Sequence, residues 1–432
     1  MTLDIAQLVK PDRVHRSVYT DPAIYQAEME RLLRRSWLYV GHESQIPNSG
    51  DVFSTRLADQ PILVIRQPGG DIKLLFNRCK HKGMQLMADN TQGCVKALRC
   101  GYHGWIYGLD GTLKTIPSQA GYQGAEIKPG SDAVALNAVP DFAQHRGFLF
   151  ARLESGGVDF SDWLAPMRPS LDNMIDRAPD GELEVAGGVL RYEHYCNWKF
   201  FFENTLDALH PMVVHLSSSK GAQRAAKKGA SVDAYEARAL SMLSPFSASY
   251  SFFDDMGQRG GAFGHGELGG KSSIHASYDV DPDYWDALVK GHGKDKAKAI
   301  LSYGPNNSVL YPTIMFKAPV AMLRVIRPLG VDRTMIETWH FRLKGAPDSL
   351  LEQTLQYSTI VNSSAGIVGP DDHEAYRRMQ SGLKAQAADW VLIARHAGQV
   401  EKDGNGLQSA PGTSDFVFRN QFAAWADAMA QP

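Results

Sequence analysis

The chain has 432 residues, 44 % of them hydrophobic and 21 % charged, with a formal net charge of −2. That is enough for two or three domains with sizeable cores, and so even a balance supplies no basic field to recruit nucleic acid. No apolar run is long enough to span a bilayer, and the opening Met-Thr-Leu-Asp-Ile-Ala-Gln has neither the basic nor the apolar section of a signal peptide, so a cytoplasmic protein without membrane contact is expected.

Residues 21–36 predict a docking helix. Asp21 suits the cap, Pro22 the first helical position, and Ile24, Tyr25, Ala27, Met29, Leu32 and Leu33 make one apolar stripe. From Trp37 to about Leu153 the texture changes. Short apolar runs (Leu38–Val40, Ile62–Ile65, Ile72–Phe76, Gly147–Leu153) alternate with turn signals such as Pro47-Asn48-Ser49-Gly50 and Asp110-Gly111. That pattern predicts an all-β sandwich or barrel, placed at 38–157, with 1–37 joining 158–432 in a second domain.

Within the β region lie Cys79-Lys80-His81 and Cys100-Gly101-Tyr102-His103, each expected at the tip of a hairpin, with eighteen residues between the two halves. Two cysteines and two histidines are a common zinc set. Here, however, each half brings one thiolate and one imidazole. That division suits a [2Fe–2S] cluster with both cysteines on one iron and both histidines on the other, the Rieske arrangement. Gly83, Gly101 and Gly104 permit tight ligand loops, and Tyr102, Trp105 and Tyr107 are expected to shield the cluster. Cys94 and Cys196 have no such partners and read as small buried thiols.

Residues 155–190 read as a connection with one short helix near Ser161–Ile175. Asn197 to His215 follows as N-W-K-F-F-F-E-N-T-L-D-A-L-H-P-M-V-V-H. Asp207 and His210 are three apart and would share a helix face. His210 and His215 are five apart, which on an unbroken helix splays them by about 140°. Pro211 predicts a break at His210–Pro211 that brings both imidazoles to one point. Two converging histidines with a nearby carboxylate suit a hard-to-borderline divalent metal, although a buried, hydrogen-bonded histidine pair would leave the same trace.

Ser217 to Gly229 is basic and rich in small residues, and reads as a solvated loop able to cover a pocket entrance. Strand-like runs follow at Ala248–Phe253, Ser272–Tyr278, Ser308–Phe316, Ala321–Pro328 and Met335–Leu343. They are interrupted by a helix near Asp283–Val289, and Gly260–Gly266 is taken as a flexible loop. Helices are expected at 348–365, from Gly369 onward and at Ser414–Met429. The fold class is therefore α+β: an N-terminal all-β domain, then an antiparallel sheet flanked by helices.

Two histidines need a third protein ligand to make the facial triad that leaves positions open on ferrous iron. Asp371, Asp372 and Glu374 are all eligible, although an acidic cluster at a helix start can simply cap it; His373 reads as incidental. Asp207 reads as the carboxylate that receives the second nitrogen of a ligand histidine. Asn204 is a polar side chain within reach of the metal, and Trp198, Phe201 and Phe202 are candidate pocket walls.

The Cys-x-His and Cys-x-x-His pairs, followed about a hundred residues later by N-W-K-x-x-x-E-N-x-x-D-x-x-H-x-x-x-x-H, resemble the large (alpha) subunit of the Rieske non-haem iron aromatic-ring-hydroxylating oxygenases over nearly the whole chain. The resemblance implies a Rieske cluster on Cys79, His81, Cys100 and His103, and a mononuclear Fe(II) on His210, His215 and, as the second of the Asp pair, Asp372. It implies Asp207 as catalytic, bridging to His103 of the next protomer, and hence a trimer, alone or with a beta subunit; Asn204 is read as catalytic from its place beside the metal. It further implies O2 as co-substrate, electrons from NAD(P)H through a reductase or ferredoxin, and an aromatic substrate, most simply cis-dihydroxylated. The alternatives are a Rieske monooxygenase or demethylase acting on an aromatic acid, a non-catalytic Rieske electron carrier, and a zinc-binding structural protein. A carboxylated substrate would need a buried cation, for which Arg191, Lys199 and Arg324 are candidates.

Overall fold

The structure is a computed structural model that describes residues 7–125, 127–227, 233–270, 274, 281–402 and 406–431. The chain divides into two compact units, Leu33–Gly157 and Met1–Leu32 with Val158–Pro432.

The first unit is built from antiparallel strands. Ile72–Phe76, Gln60–Arg66, Asp51–Leu57 and Gln92–Cys94 form one sheet in that order. Smaller three-stranded sheets join Leu113–Thr115, Ile106–Tyr107 and Leu98–Arg99, and Asp141–His145, Phe148–Arg152 and Leu38–His42. The run Ile62-Leu63-Val64-Ile65 explains why apolar residues here are continuous rather than alternating. Leu63 and Ile65 pack with Cys79, Cys100 and Trp105, while Ile62 and Val64 pack with Leu38, Phe53 and Leu149 on the other side. Successive side chains of a strand face opposite ways, so a strand buried on both faces needs apolar residues at every position.

The second unit carries a nine-stranded antiparallel sheet. Its order is Leu183–His194, Arg333–Leu343, Met322–Gly330, Ile314–Lys317, Pro305–Leu310, Gly266–Gly269, Gln258–Gly260, Gln408–Ala410 and Glu401–Lys402. With its helices the chain is α+β. No helix among the described residues is long and apolar enough to cross a membrane.

Several elements differ from expectation. Ala248–Phe253 is not a strand: Ser249 accepts from Phe252 N–H and opens the helix Tyr250–Met256, a cap that outweighs the aromatic β tendency. Residues 217–227 are not a loop but belong to the helix Leu216–Lys227, because Ser219 and Ala222 are small enough to pack closely, and Ser219 and Gln223 bond to Ser244 and Ser247. Residues 228 and 229 lie outside the described residues, as does the expected strand at Ser272–Tyr278 apart from Ile274. Gly260–Gly266 is the tight corner of a hairpin, with a 3-10 turn at Ala262–Gly264. The connection 155–190 hides two short helices, Phe160–Leu164 and Arg168–Asp176, and the start of the long strand Leu183–His194. Gly187 and Gly188, which read as linker, sit at a register shift of that strand with φ of 72° and 76°, a bulge only glycine adopts freely.

Candidate metal centres

In the first unit, Cys79 and His81 lie in the loop after Ile72–Phe76. That loop is not a hairpin tip, because the next strand, Gln92–Cys94, pairs with Asp51–Leu57 instead. Cys100 and His103 do sit in the tight turn between the paired strands Leu98–Arg99 and Ile106–Tyr107. Both loops close on themselves in the same way. Gly83 N–H donates to Cys79 O at 2.9 Å and Gly104 N–H to Cys100 O at 3.1 Å, with φ of 78° and 72° at the two glycines.

The two thiols are buried, and the His81 and His103 rings are 4.4 Å apart. His81 stacks on Trp105 with centroids 5.1 Å apart, and its Nδ1 is buried with no hydrogen-bond partner. Burial raises the Cys79 thiol above its ordinary value, opposed by hydrogen bonds from Tyr107 and the His81 backbone; the neighbouring Cys100 pushes it up again. The Tyr107 hydroxyl is 3.3 Å from Cys79 Sγ and accepts Lys80 N–H at 3.1 Å. Thiols beside each other and imidazoles beside each other form the donor set a [2Fe–2S] cluster needs, and an unbonded buried imidazole nitrogen fits such a site. Tyr102 does not shield it, being 64 % exposed. Cys94 is exposed at a strand end rather than buried, whereas Cys196 is fully buried and its thiol is raised to about 12 by that burial.

In the second unit, Asn197 caps the helix Trp198–Leu206 by accepting Lys199 N–H. The chain leaves the helix at Asp207, earlier than the expected break at His210–Pro211. Asp207 Oδ1 accepts Leu209 N–H at 2.6 Å and His210 N–H at 3.4 Å, a local bond that competes with helix continuation. Pro211 then starts the short helix Pro211–Val214 instead of breaking one.

His210, His215 and Asp372 can each present a ligand atom such that all lie within 4.8 Å of one another. Asp372 stands in the first turn of the helix Gly369–Gly382. Its Oδ1 is 3.7 Å from His210 Nε2 and 3.3 Å from His215 Nε2. The outer nitrogens meet carboxylates too: His210 Nδ1 is 3.5 Å from Asp207 Oδ2, and His215 Nδ1 is 3.3 Å from Asp371 Oδ2. The two members of the Asp pair thus stand on opposite nitrogens of one imidazole. Glu374 is engaged by Arg377 and Arg378. Asn204 Nδ2 lies 3.1 Å from His210 Nε2 and donates to Asp372 Oδ1 at 3.3 Å.

Burial alone would depress the His210 imidazole, but the adjoining Asp207 and then Asp372 lift it above the ordinary histidine value. Burial would raise Asp372, yet the His215 hydrogen bond and both imidazoles hold it below the usual carboxylate range. Such a site favours a cation, and a metal ion fits the donor set and its charge.

The three ligand candidates face a cavity of about 90 Å³ with apolar walls from Phe201, Phe246, Met315 and Val361. Phe201 lines it as expected. Trp198 is fully buried elsewhere, donating from Nε1 to Glu28, and Phe202 meets Tyr311 edge to face. Among the lining residues that carry no motif and were not anticipated are His194, Lys317 and Tyr376. A lysine closing the buried strand Ile-Met-Phe-Lys was the one available signal. His373 is not among the three converging donors; it lines the cavity with its ring 4.3 Å from that of His194.

Comparison with known proteins decides the family. The Rieske [2Fe-2S] domain family matches residues 36–140, and the catalytic domain of the ring-hydroxylating alpha subunit matches 183–404. The toluate 1,2-dioxygenase alpha subunit of Pseudomonas putida is 30 % identical over 374 residues, 86 % of this chain and 79 % of that one. The chain belongs to the ring-hydroxylating oxygenase alpha subunits. The biphenyl 2,3-dioxygenase alpha subunit of Rhodococcus jostii (strain RHA1) is 28 % identical over 99 % of this chain and 92 % of its own. Naphthalene 1,2-dioxygenase with indole bound shares the fold, with a TM-score of 0.81 and 21 % identity over 98 % of this chain and 93 % of that one. As a ring-hydroxylating alpha subunit, the chain is an oxidoreductase that holds a Rieske [2Fe–2S] cluster and a mononuclear iron, uses O2 and draws electrons from NAD(P)H through a reductase. The readings as a bare electron carrier or a zinc-binding structural protein are set aside.

Proposed function

We propose that this oxygenase cis-dihydroxylates an aromatic compound at the cavity beside His210, His215 and Asp372, and that these three hold the mononuclear iron. One observation carries the reading: a site of two histidines and one carboxylate opens onto a cavity with aromatic and aliphatic walls. Residues 38–157 form the cluster-bearing domain, and 1–37 with 158–432 the catalytic one. Cys79 and Cys100 hold one iron of the cluster, His81 and His103 the other. When bound, the cluster supplies single electrons and the ferrous iron the open positions at which O2 is activated.

The protein's own groups do the positioning. Asp207 and Asp371 receive the outer nitrogens of His210 and His215, which orients both rings with Nε2 towards Asp372. Asn204 steadies Asp372 through its amide. The walls Phe201, Phe246 and Val361 exclude water and accept a ring. Asp207 also serves as the bridge to His103 of the neighbouring protomer in a trimer, alone or with a beta subunit, in the cytoplasm. Exposed Arg78, Lys80 and Lys82 around the cluster loop suit an acidic ferredoxin or reductase.

The relatives named for toluate, biphenyl, anthranilate and benzene are all dioxygenases, which favours two oxygens over one. A quaternary ammonium Rieske monooxygenase shares the fold at a TM-score of 0.66 and 16 % identity, so monooxygenation is the second reading. Turnover under isotopically labelled O2 separates the two: dihydroxylation places both labelled atoms in one product, and a single labelled atom would refute it.

A further inference from the structure

Two cations, Lys317 and Arg324, line the cavity. Lys317 ends the strand Ile314–Lys317, and Arg324 lies in the neighbouring strand Met322–Gly330. The ladder pairs Met315 with Arg324 and Lys317 with Met322, so all four side chains rise from one sheet face and the two cations are diagonal neighbours. Met315, Lys317 and Arg324 all face the cavity.

Lys317 is 7 % exposed, and its ammonium donates to the Tyr357 hydroxyl at 2.7 Å. Arg324 lies over the Phe201 ring at 4.2 Å, donating to Asn362 Oδ1 and Tyr192 Oη, and its Nε is buried with no hydrogen-bond partner. Neither cation makes an ion pair with a carboxylate among the described residues. The lining carboxylates, Asp207 and Asp372, are engaged chiefly by the histidines, with the Arg324 charge a lesser influence on Asp372. Arg191 and Lys199, by contrast, are paired, with Glu337 and Glu28, and do not line the cavity.

Two like charges on one buried sheet face are unfavourable unless something anionic joins them. Burial, and then the Arg324 charge, lower the Lys317 ammonium to about 7, so an arriving anion would also restore its full charge. Beside the cations the walls are apolar and aromatic. A ligand that satisfies both must pair a flat apolar body with one compact anionic group.

We infer that Lys317 and Arg324 form an anion subsite and that the substrate is an aromatic carboxylic acid. The inference rests on the ring-oxygenase reading for the reaction, but the subsite stands on geometry alone.

The test is calorimetric titration of the iron-loaded protein with benzoate, phenylacetate and cinnamate, each against its neutral amide, followed by turnover with a reductase. At least one acid is expected to bind about tenfold to a hundredfold more tightly than its amide. Lys317→Met and Arg324→Met should each remove most of that preference while leaving amide binding in place. If no acid outbinds its amide, or if the preference survives in both variants, the inference is overturned. Should a variant fail to fold, the acid–amide comparison on the native chain decides. Hydroxylation of neutral arenes with rejection of the acids would overturn the subsite and leave the oxygenase reading intact. Acid-selective binding with no oxygen incorporated into any acid would overturn the oxygenase reading and leave the subsite standing.

Discussion

Glu28 is the residue whose loss should be felt furthest from its own position. It is fully buried in the helix Pro22–Glu28. Its Oε1 accepts Lys199 Nζ at 2.6 Å and Trp425 Nε1 at 2.7 Å, and its Oε2 accepts Trp198 Nε1 at 2.9 Å. Two distant helices, Trp198–Leu206 and Phe416–Ala430, thus meet on one carboxylate. Burial pulls the Lys199 ammonium down, and Glu28 chiefly opposes it. Glu28→Gln keeps the shape but removes the charge. Breaking one partner of a buried ion pair costs about 3–5 kcal/mol, and an indole N–H left unbonded adds about 1–3 kcal/mol. At roughly 2 °C or more per kcal/mol, thermal unfolding followed by tryptophan fluorescence should fall by on the order of 10 °C. Trp198 and Lys199 open the helix that delivers Asp207 and His210, so iron content should fall with stability. Removing both charges in Glu28→Gln/Lys199→Met should recover most of the loss, because no uncompensated ion remains. A double variant whose loss equals the sum of the two single losses would refute this account of the network.

Further expectations concern the two centres. His210→Ala and Asp372→Ala should each lose the mononuclear iron while the visible absorption of the cluster persists, whereas Asp371→Ala should only weaken iron binding, by about 10–100-fold; metal analysis that finds the reverse order for the two aspartates would reassign the ligand. Asp207→Ala should retain both metal centres yet lose coupled turnover, and native-rate hydroxylation would rule out its bridging role. Tyr107→Phe removes a hydroxyl 3.3 Å from Cys79 Sγ, and should lower the cluster potential by about 40 mV, the equivalent of one hydrogen bond of about 1 kcal/mol for a single electron. Voltammetry that shows no downward shift would mean the hydroxyl does not donate to the sulfur.

What could be read from the chain alone was what short spacing controls. Cys79 and His81, or Cys100 and His103, are close in sequence, so donor type and interval already pointed to a cluster whatever surrounded them. The runs Ile62–Ile65 and Gly147–Leu153 declared strands because both faces of the strands they contain are buried. Local pattern failed where packing or a single cap outweighed it. Ser249 turned an aromatic run into a helix, and Ser219 and Ala222 made a helix of a segment that read as solvated loop. Cys94 was placed inside by its chemistry but lies outside, because burial depends on which strand end it occupies.

Other features exist only in three dimensions. Asp371 and Asp372 are adjacent and chemically alike, and the rotation of one helix places them on opposite nitrogens of His215. Glu28 meets Lys199 and Trp425 across intervals no sequence pattern spans. Arg324 was one of three candidates for a cation near the substrate, and Lys317 was not among them. The two became a pair of cavity-lining cations only through the register that sets Met315 against Arg324. A shift of that ladder by one residue would turn Arg324 to the opposite face. Spacing along the chain thus named the metals, and the pairing of strands decided what the cavity beside the iron can bind.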